Sequence, residues 1–121
     1  MGKILIIEDD FDIGTMIKIM LEYHGYSVVL LQKAEKAEEV IRAEQVDLVI
    51  MDMLLSGVNG LDVCARIKQE KSLSHIPIII TSAHPNAKEL SQKVGAADFI
   101  AKPFEMQEVL SKVDRLVQSD R

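Results

Sequence analysis

Five short apolar runs punctuate the chain: Lys3 to Ile7, Ser27 to Leu31, Val46 to Met51, Ile76 to Ser82 and Phe99 to Ala101. Each has the length of a β-strand. The first, third and fourth are unbroken Ile, Leu, Val and Met rather than alternating, which predicts strands covered on both faces, as in the middle of a parallel sheet. Between the runs the period becomes helical. Ile13, Met16, Ile17, Met20 and Leu21 follow the stripe of an amphipathic helix, and Gly25 stands where such a helix stops. Met106, Val109, Leu110, Val113, Leu116 and Val117 repeat the stripe ahead of a polar end, Gln118 to Arg121. The segments near 34–44, 60–70 and 87–94 are compatible with helices, and Gly95 follows the last of them.

Five βα units in one domain, residues 1–121, predict a parallel sheet with right-handed crossovers and helices on both faces. In such open sheets the ligand crevice lies at the carboxyl ends of the strands, so function is read from the residues just after each strand. The first strand runs into Glu8, Asp9 and Asp10, the third into Asp52, the fourth ends in Thr81 and Ser82, and the fifth runs into Lys102 and Pro103. Carboxylates gathered in one place repel and raise one another's pKa, so such a site calls for a cation. Oxygen ligands select a hard ion, and Mg2+ suits a site of few carboxylates because it keeps several waters and shares phosphate oxygens.

Charge and composition narrow the partners. The 121 residues carry 14 basic and 19 acidic side chains, a net charge of −5, and no basic patch, so direct nucleic-acid binding is not expected. A single cysteine, Cys64, excludes an internal disulfide and fits a small core residue on the third helix. His24, His75 and His84 show no ligand spacing. No apolar run approaches the roughly 20 residues that span a bilayer, and the first ten residues lack the build of a signal peptide, which points to the cytoplasm.

The stretches Lys3-Ile-Leu-Ile-Ile-Glu-Asp-Asp10, Asp47-Leu-Val-Ile-Met-Asp52-Met-Leu-Leu-Ser-Gly57, Ile76-Pro-Ile-Ile-Ile-Thr-Ser82-Ala83 and Gly95-Ala-Ala-Asp-Phe99-Ile-Ala-Lys102-Pro103-Phe104, in this order, resemble the receiver domain of two-component response regulators. The resemblance implies the flavodoxin-like (βα)5 doubly wound fold with strand order 2-1-3-4-5, and a phosphorylation-dependent signalling switch rather than a turnover enzyme. It implies that Asp52 accepts a phosphoryl group from a sensor histidine kinase or phosphotransfer protein. It also implies that Mg2+ is held by Glu8, Asp9, Asp52 and the backbone carbonyl of Leu54. Ser82, counted from Pro77 in preference to Thr81, and Lys102 would bind phosphoryl oxygens. Ser82 and Phe99 would form the switch that alters the surface of helix 4, strand 5 and helix 5, a surface also open to a homodimer. The bond between Lys102 and Pro103 would be cis. The listener is either a downstream protein or an output domain C-terminal to the receiver.

The sequence departs from the family pattern in three places. Ser56 stands where the family usually has Pro, which implies a less rigid loop, and the interval from Ser82 to Lys102 is about two residues short, trimming the approach to helix 4. Leu54 and His84 occupy the positions that tune phosphate lifetime in the family, and neither carries a carboxylate or amide to orient an attacking water, which implies slow loss of the phosphoryl group. Three other readings are weaker. Asp10-Phe-Asp12-Ile-Gly-Thr15 is similar to the motif of haloacid dehalogenase-like phosphatases, but its Gly and Thr come one residue late and no late acidic pair follows. A pseudo-receiver that binds partners without phosphorylation usually loses one of the acidic groups that are intact here. A flavodoxin-like cofactor binder is disfavoured because an acidic first loop repels a flavin phosphate.

Overall fold

The computed structural model describes residues 2–119. Elements follow in the order β1 (Lys3–Ile7), α1 (Phe11–Tyr23), β2 (Ser27–Leu31), α2 (Ala37–Glu44), β3 (Leu48–Asp52), β4 (Leu54–Leu55), β5 (Val58–Asn59), α3 (Gly60–Gln69), β6 (Ile78–Ser82), α4 (Ala87–Lys93), β7 (Asp98–Ala101) and α5 (Met106–Ser119). Of the polar end, Asp120 and Arg121 lie outside the described residues.

Five strands form one parallel sheet in the order β2-β1-β3-β6-β7. Counting these long strands alone, this is the expected 2-1-3-4-5. The unbroken apolar runs are the three central strands: every residue of β3 and β6 is buried, as are four of the five in β1. The edge strand β2 has no fully buried residue. Side-chain alternation divides the core between the two faces. Val49, Met51, Ile78 and Ile80 pack beneath α2, α3 and α4, with Cys64 fully buried among them. Leu48, Ile50, Ile79 and Ile100 pack beneath α1 and α5. Fully burying one such aliphatic side chain stabilises the fold by about 1.5–3 kcal/mol, so the sheet centre dominates the stability.

Two features differ from expectation. The antiparallel pair β4–β5, with Leu54 opposite Asn59 and Leu55 opposite Val58, has only two residues per strand and no period to announce it. Met16 does not face the core. The buried face of α1 is centred on Gly14, Ile17 and Leu21, and Met16 lies about a third of a turn away from it at 3.6 residues per turn, leaving it 46% exposed.

Candidate functional site

The carboxyl ends of β1, β3, β6 and β7 meet at one rim of the sheet. Each polar residue stands at the last position of its strand or just beyond it: Asp52 and Ser82 end β3 and β6, and Glu8 and Lys102 follow β1 and β7. Glu8 follows Ile7, and its backbone N–H still donates to Leu31 O at 3.0 Å, which keeps it in line with the sheet. Asp52 is the last residue of β3, in register with Thr81. Lys102 follows β7, and its N–H donates to Ser82 O at 2.9 Å. The peptide bond between Lys102 and Pro103 is cis.

Lys102 joins two of the acids. Its Nζ donates to Glu8 Oε1 at 2.9 Å and to Asp52 Oδ2 at 3.1 Å. The remaining carboxylate oxygens take backbone donors: Asp10 N–H reaches Glu8 Oε2 at 3.2 Å, and Leu54 N–H reaches Asp52 Oδ1 at 3.3 Å. Glu8 and Asp52 are buried. Burial pushes the Glu8 carboxyl up to about 7, against the hydrogen bonds from Lys102 and Asp10, and the neighbouring Asp52 raises it further. Burial alone would lower the Lys102 ammonium, but its hydrogen bonds to Glu8 and Asp52 outweigh that and hold it above the ordinary lysine value.

Asp9 completes the cluster. Glu8, Asp9 and Asp52 each present a carboxylate oxygen within 4.8 Å of the others. One ammonium cannot neutralise three carboxylates. A set of hard oxygen donors with surplus negative charge fits a divalent cation such as Mg2+.

The other sequence-predicted residues lie around this cluster. Ser82 is buried, and its Oγ accepts from His84 N–H at 2.9 Å. Phe99 is half-buried on β7, packed against the α4 side of the core. The backbone of Leu54 reaches Asp52 through its N–H, and its side chain is exposed. Asp10 caps α1 by accepting from Ile13 N–H at 3.1 Å, and Asp12 is exposed on that helix.

Two contributors were not foreseen. A Cβ on Gly60 would stand 2.2 Å from the backbone oxygen of Asp52, so the start of α3 is pressed against the strand end that carries the central acid. Gly60 N–H donates to Met53 O at 2.7 Å, and Asn59 Oδ1 caps the helix by accepting from Leu61 N–H at 2.8 Å. Ser56 Oγ–H donates to Asp9 Oδ2 at 2.9 Å. The only advance sign of that bond is a hydroxyl where the family usually has Pro.

A doubly wound sheet with a lysine-bridged acidic cluster at its carboxyl rim defines a class of α/β domain built to handle a cation and a phosphate. The chain belongs to the response regulator receiver domain family, which it matches over residues 4–114. Members of this family are signalling domains that act through phosphorylation, not turnover enzymes, and they bind Mg2+ at an acidic pocket. The chain is 33% identical over 115 residues to the response regulator ArlR of Staphylococcus haemolyticus, covering 93% of this chain and 51% of that protein. It is 30% identical over 116 residues to the alkaline phosphatase synthesis transcriptional regulatory protein PhoP of Bacillus subtilis, covering 96% of this chain and 48% of that one. It therefore spans about half the length of these curated relatives. The solved signal receiver domain of a signal transduction histidine kinase from Syntrophus aciditrophicus superposes with a TM-score of 0.89 at 30% identity, over 98% of this chain and 92% of that one. Among the described residues, no helix is long and apolar enough to cross a membrane.

Proposed function

We propose that this domain is a magnesium-dependent switch whose phosphoacceptor is Asp52. The observation that carries the reading is Lys102 Nζ set between Glu8 and Asp52, with Asp9 within 4.8 Å, at the rim where a doubly wound sheet binds ligands. Glu8, Asp9, Asp52 and the carbonyl of Leu54 would hold Mg2+. Bound there, the ion supplies positive charge to the equatorial oxygens of the incoming phosphoryl group.

The donor is a phosphohistidine on a sensor kinase or phosphotransfer protein. A carboxylate oxygen of Asp52 forms the new bond to phosphorus while the bond from phosphorus to the imidazole nitrogen breaks, and the electron pair leaves with the imidazole. Leu54 N–H and Lys102 hold the Asp52 carboxylate still for this attack. Lys102 then follows the added charge and pairs with a phosphoryl oxygen, and the Ser82 hydroxyl donates to another. Leu54 and His84 carry no carboxylate or amide to orient an attacking water, so the acyl phosphate is lost slowly.

An open apolar groove of about 380 Å³ adjoins the acidic rim and suits the approach of a protein donor; it is lined by Ile13, Met16, Ala83, Lys102, Pro103 and Phe104. Output passes through Ser82 and Phe99 to the surface of α4, β7 and α5, where a downstream protein, a C-terminal output domain or a second copy of the chain binds. The cytoplasm, home of phosphohistidine donors, is the compartment this chemistry requires.

Incubation with acetyl phosphate and Mg2+ followed by intact mass tests the acceptor. One phosphoryl group is expected on the wild-type chain, removed by mild base and absent from Asp52→Asn. Labelling of Asp52→Asn at the wild-type level would end the reading.

A further inference from the structure

We propose that Ser56 is a positioning residue for the cation site, its hydroxyl holding the Asp9 carboxylate in the orientation in which it faces Glu8 and Asp52. The inference rests on reading that cluster as a Mg2+ site. The three carboxylates are not held alike. Glu8 takes Lys102 and the Asp10 N–H, and Asp52 takes Lys102 and the Leu54 N–H. Asp9 is half-buried on the β1–α1 loop, and its Oδ2 accepts from Ser56 Oγ–H at 2.9 Å across 47 residues of sequence. A carboxylate that must be ordered when the ion arrives weakens binding by the freedom it loses; one ordered beforehand does not. The hydroxyl uses one of the lone-pair directions of Asp9 and leaves the others for a ligand.

The same bond steadies the backbone. Ser56 sits at the tip of the β4–β5 hairpin, beside Gly57 in the left-handed region at φ 73°. The hairpin has two residues per strand, too few to hold itself. Its base is anchored by the Asn59 cap and the close-packed Gly60, and its tip by Ser56. Leu54, whose carbonyl is the proposed backbone ligand, lies opposite Asn59 at the base of this hairpin. Where the family usually carries Pro, rigidity comes from a ring with no side-chain donor. Here it comes from a hydroxyl that also reaches a metal-binding acid.

Calorimetric titration of Mg2+ into the full chain, compared among wild type, Ser56→Ala and Ser56→Thr, tests this. Ser56→Ala is expected to raise the Mg2+ dissociation constant about three- to tenfold, less than the usual effect of removing a hydrogen-bond partner from a metal ligand because this bond is open to solvent. Ser56→Thr, which keeps the hydroxyl, restores binding to within about twofold of wild type. Urea midpoints of metal-free wild type and Ser56→Ala should agree, which separates positioning from a folding defect. A Ser56→Ala chain that binds Mg2+ as tightly as wild type overturns the inference, as does a Ser56→Thr chain no better than Ser56→Ala. A wild-type chain that takes up no Mg2+ removes the cation site itself, an outcome that needs no variant to recognise.

Discussion

Glu8 is buried beside Asp52 with Lys102 Nζ between the two carboxylates, and burial pushes its carboxyl up to about 7 from an ordinary 4.5. An acid with a raised folded pKa binds more protons folded than unfolded between those two values. Its contribution to stability is therefore fully present below about 4.5 and is lost as pH rises through about 7. The metal-free chain should lose stability across that window, by at most about 3 kcal/mol from this group. Urea midpoints at pH 5 and pH 8 in a chelator measure it, and Glu8→Gln should flatten the difference relative to wild type. An unchanged slope in Glu8→Gln would assign the pH dependence to other groups. At this scale the positions of Glu8, Asp9, Asp52 and Lys102 are legible in the sequence, because each follows or ends an apolar run and the topology brings run ends together. The bond from Ser56 to Asp9 is not, since the two residues are 47 apart and only the hairpin places one over the other.

The central strands are readable because burial on both faces leaves unbroken apolar runs; β1 matches its run residue for residue, as does the edge strand β2, whose short apolar run is only partly buried. The β4–β5 pair is not, because two-residue strands have no period. Met16 misled for a related reason: a stripe counted from sequence does not say which edge of it meets the sheet, and Gly14 rather than Met16 marks the buried face of α1. Gly60 was equally silent, being an ordinary residue in a helix-compatible segment until the distance to Asp52 is known. A methyl group there would meet backbone oxygen at 2.2 Å, and backbone cannot swing aside as a long side chain can. Although alanine is the better helix former, Gly60→Ala is expected to lower stability by about 1–3 kcal/mol, the usual cost of overpacking, and to displace Asp52. Urea unfolding gives the first effect, and slower labelling by acetyl phosphate gives the second. A Gly60→Ala chain as stable as wild type would show that α3 can shift without loss.

Alternation along the strands puts the acidic cluster and the proposed switch residues, Ser82 and Phe99, on different faces of one sheet. Ser82 continues the row of Ile78 and Ile80, and Phe99 is in register with Ile80, so Ser82 and Phe99 share the α4 side. The backbone of Phe99 is held from α5: Lys112 Nζ donates to Phe99 O at 2.6 Å and pairs with Asp98 at 3.3 Å and Glu108 at 3.2 Å. Lys102, at the end of the same strand, touches the acidic cluster. A change at Asp52 can therefore reach α4 and α5 along β6 and β7 through packed and hydrogen-bonded neighbours, and in the proposed switch the Ser82 hydroxyl is the moving part. Beryllofluoride with Mg2+, a tetrahedral stand-in for the phosphoryl group, should shift amide resonances at the rim and onward through Phe99, α4 and α5. In Ser82→Ala the rim shifts should persist, because Asp52 and Lys102 are intact, while those in α4 and α5 fall to less than about half. If α5 responds as fully in Ser82→Ala as in wild type, the signal runs through Lys102 and the backbone of β7, and the hydroxyl has no part in carrying it.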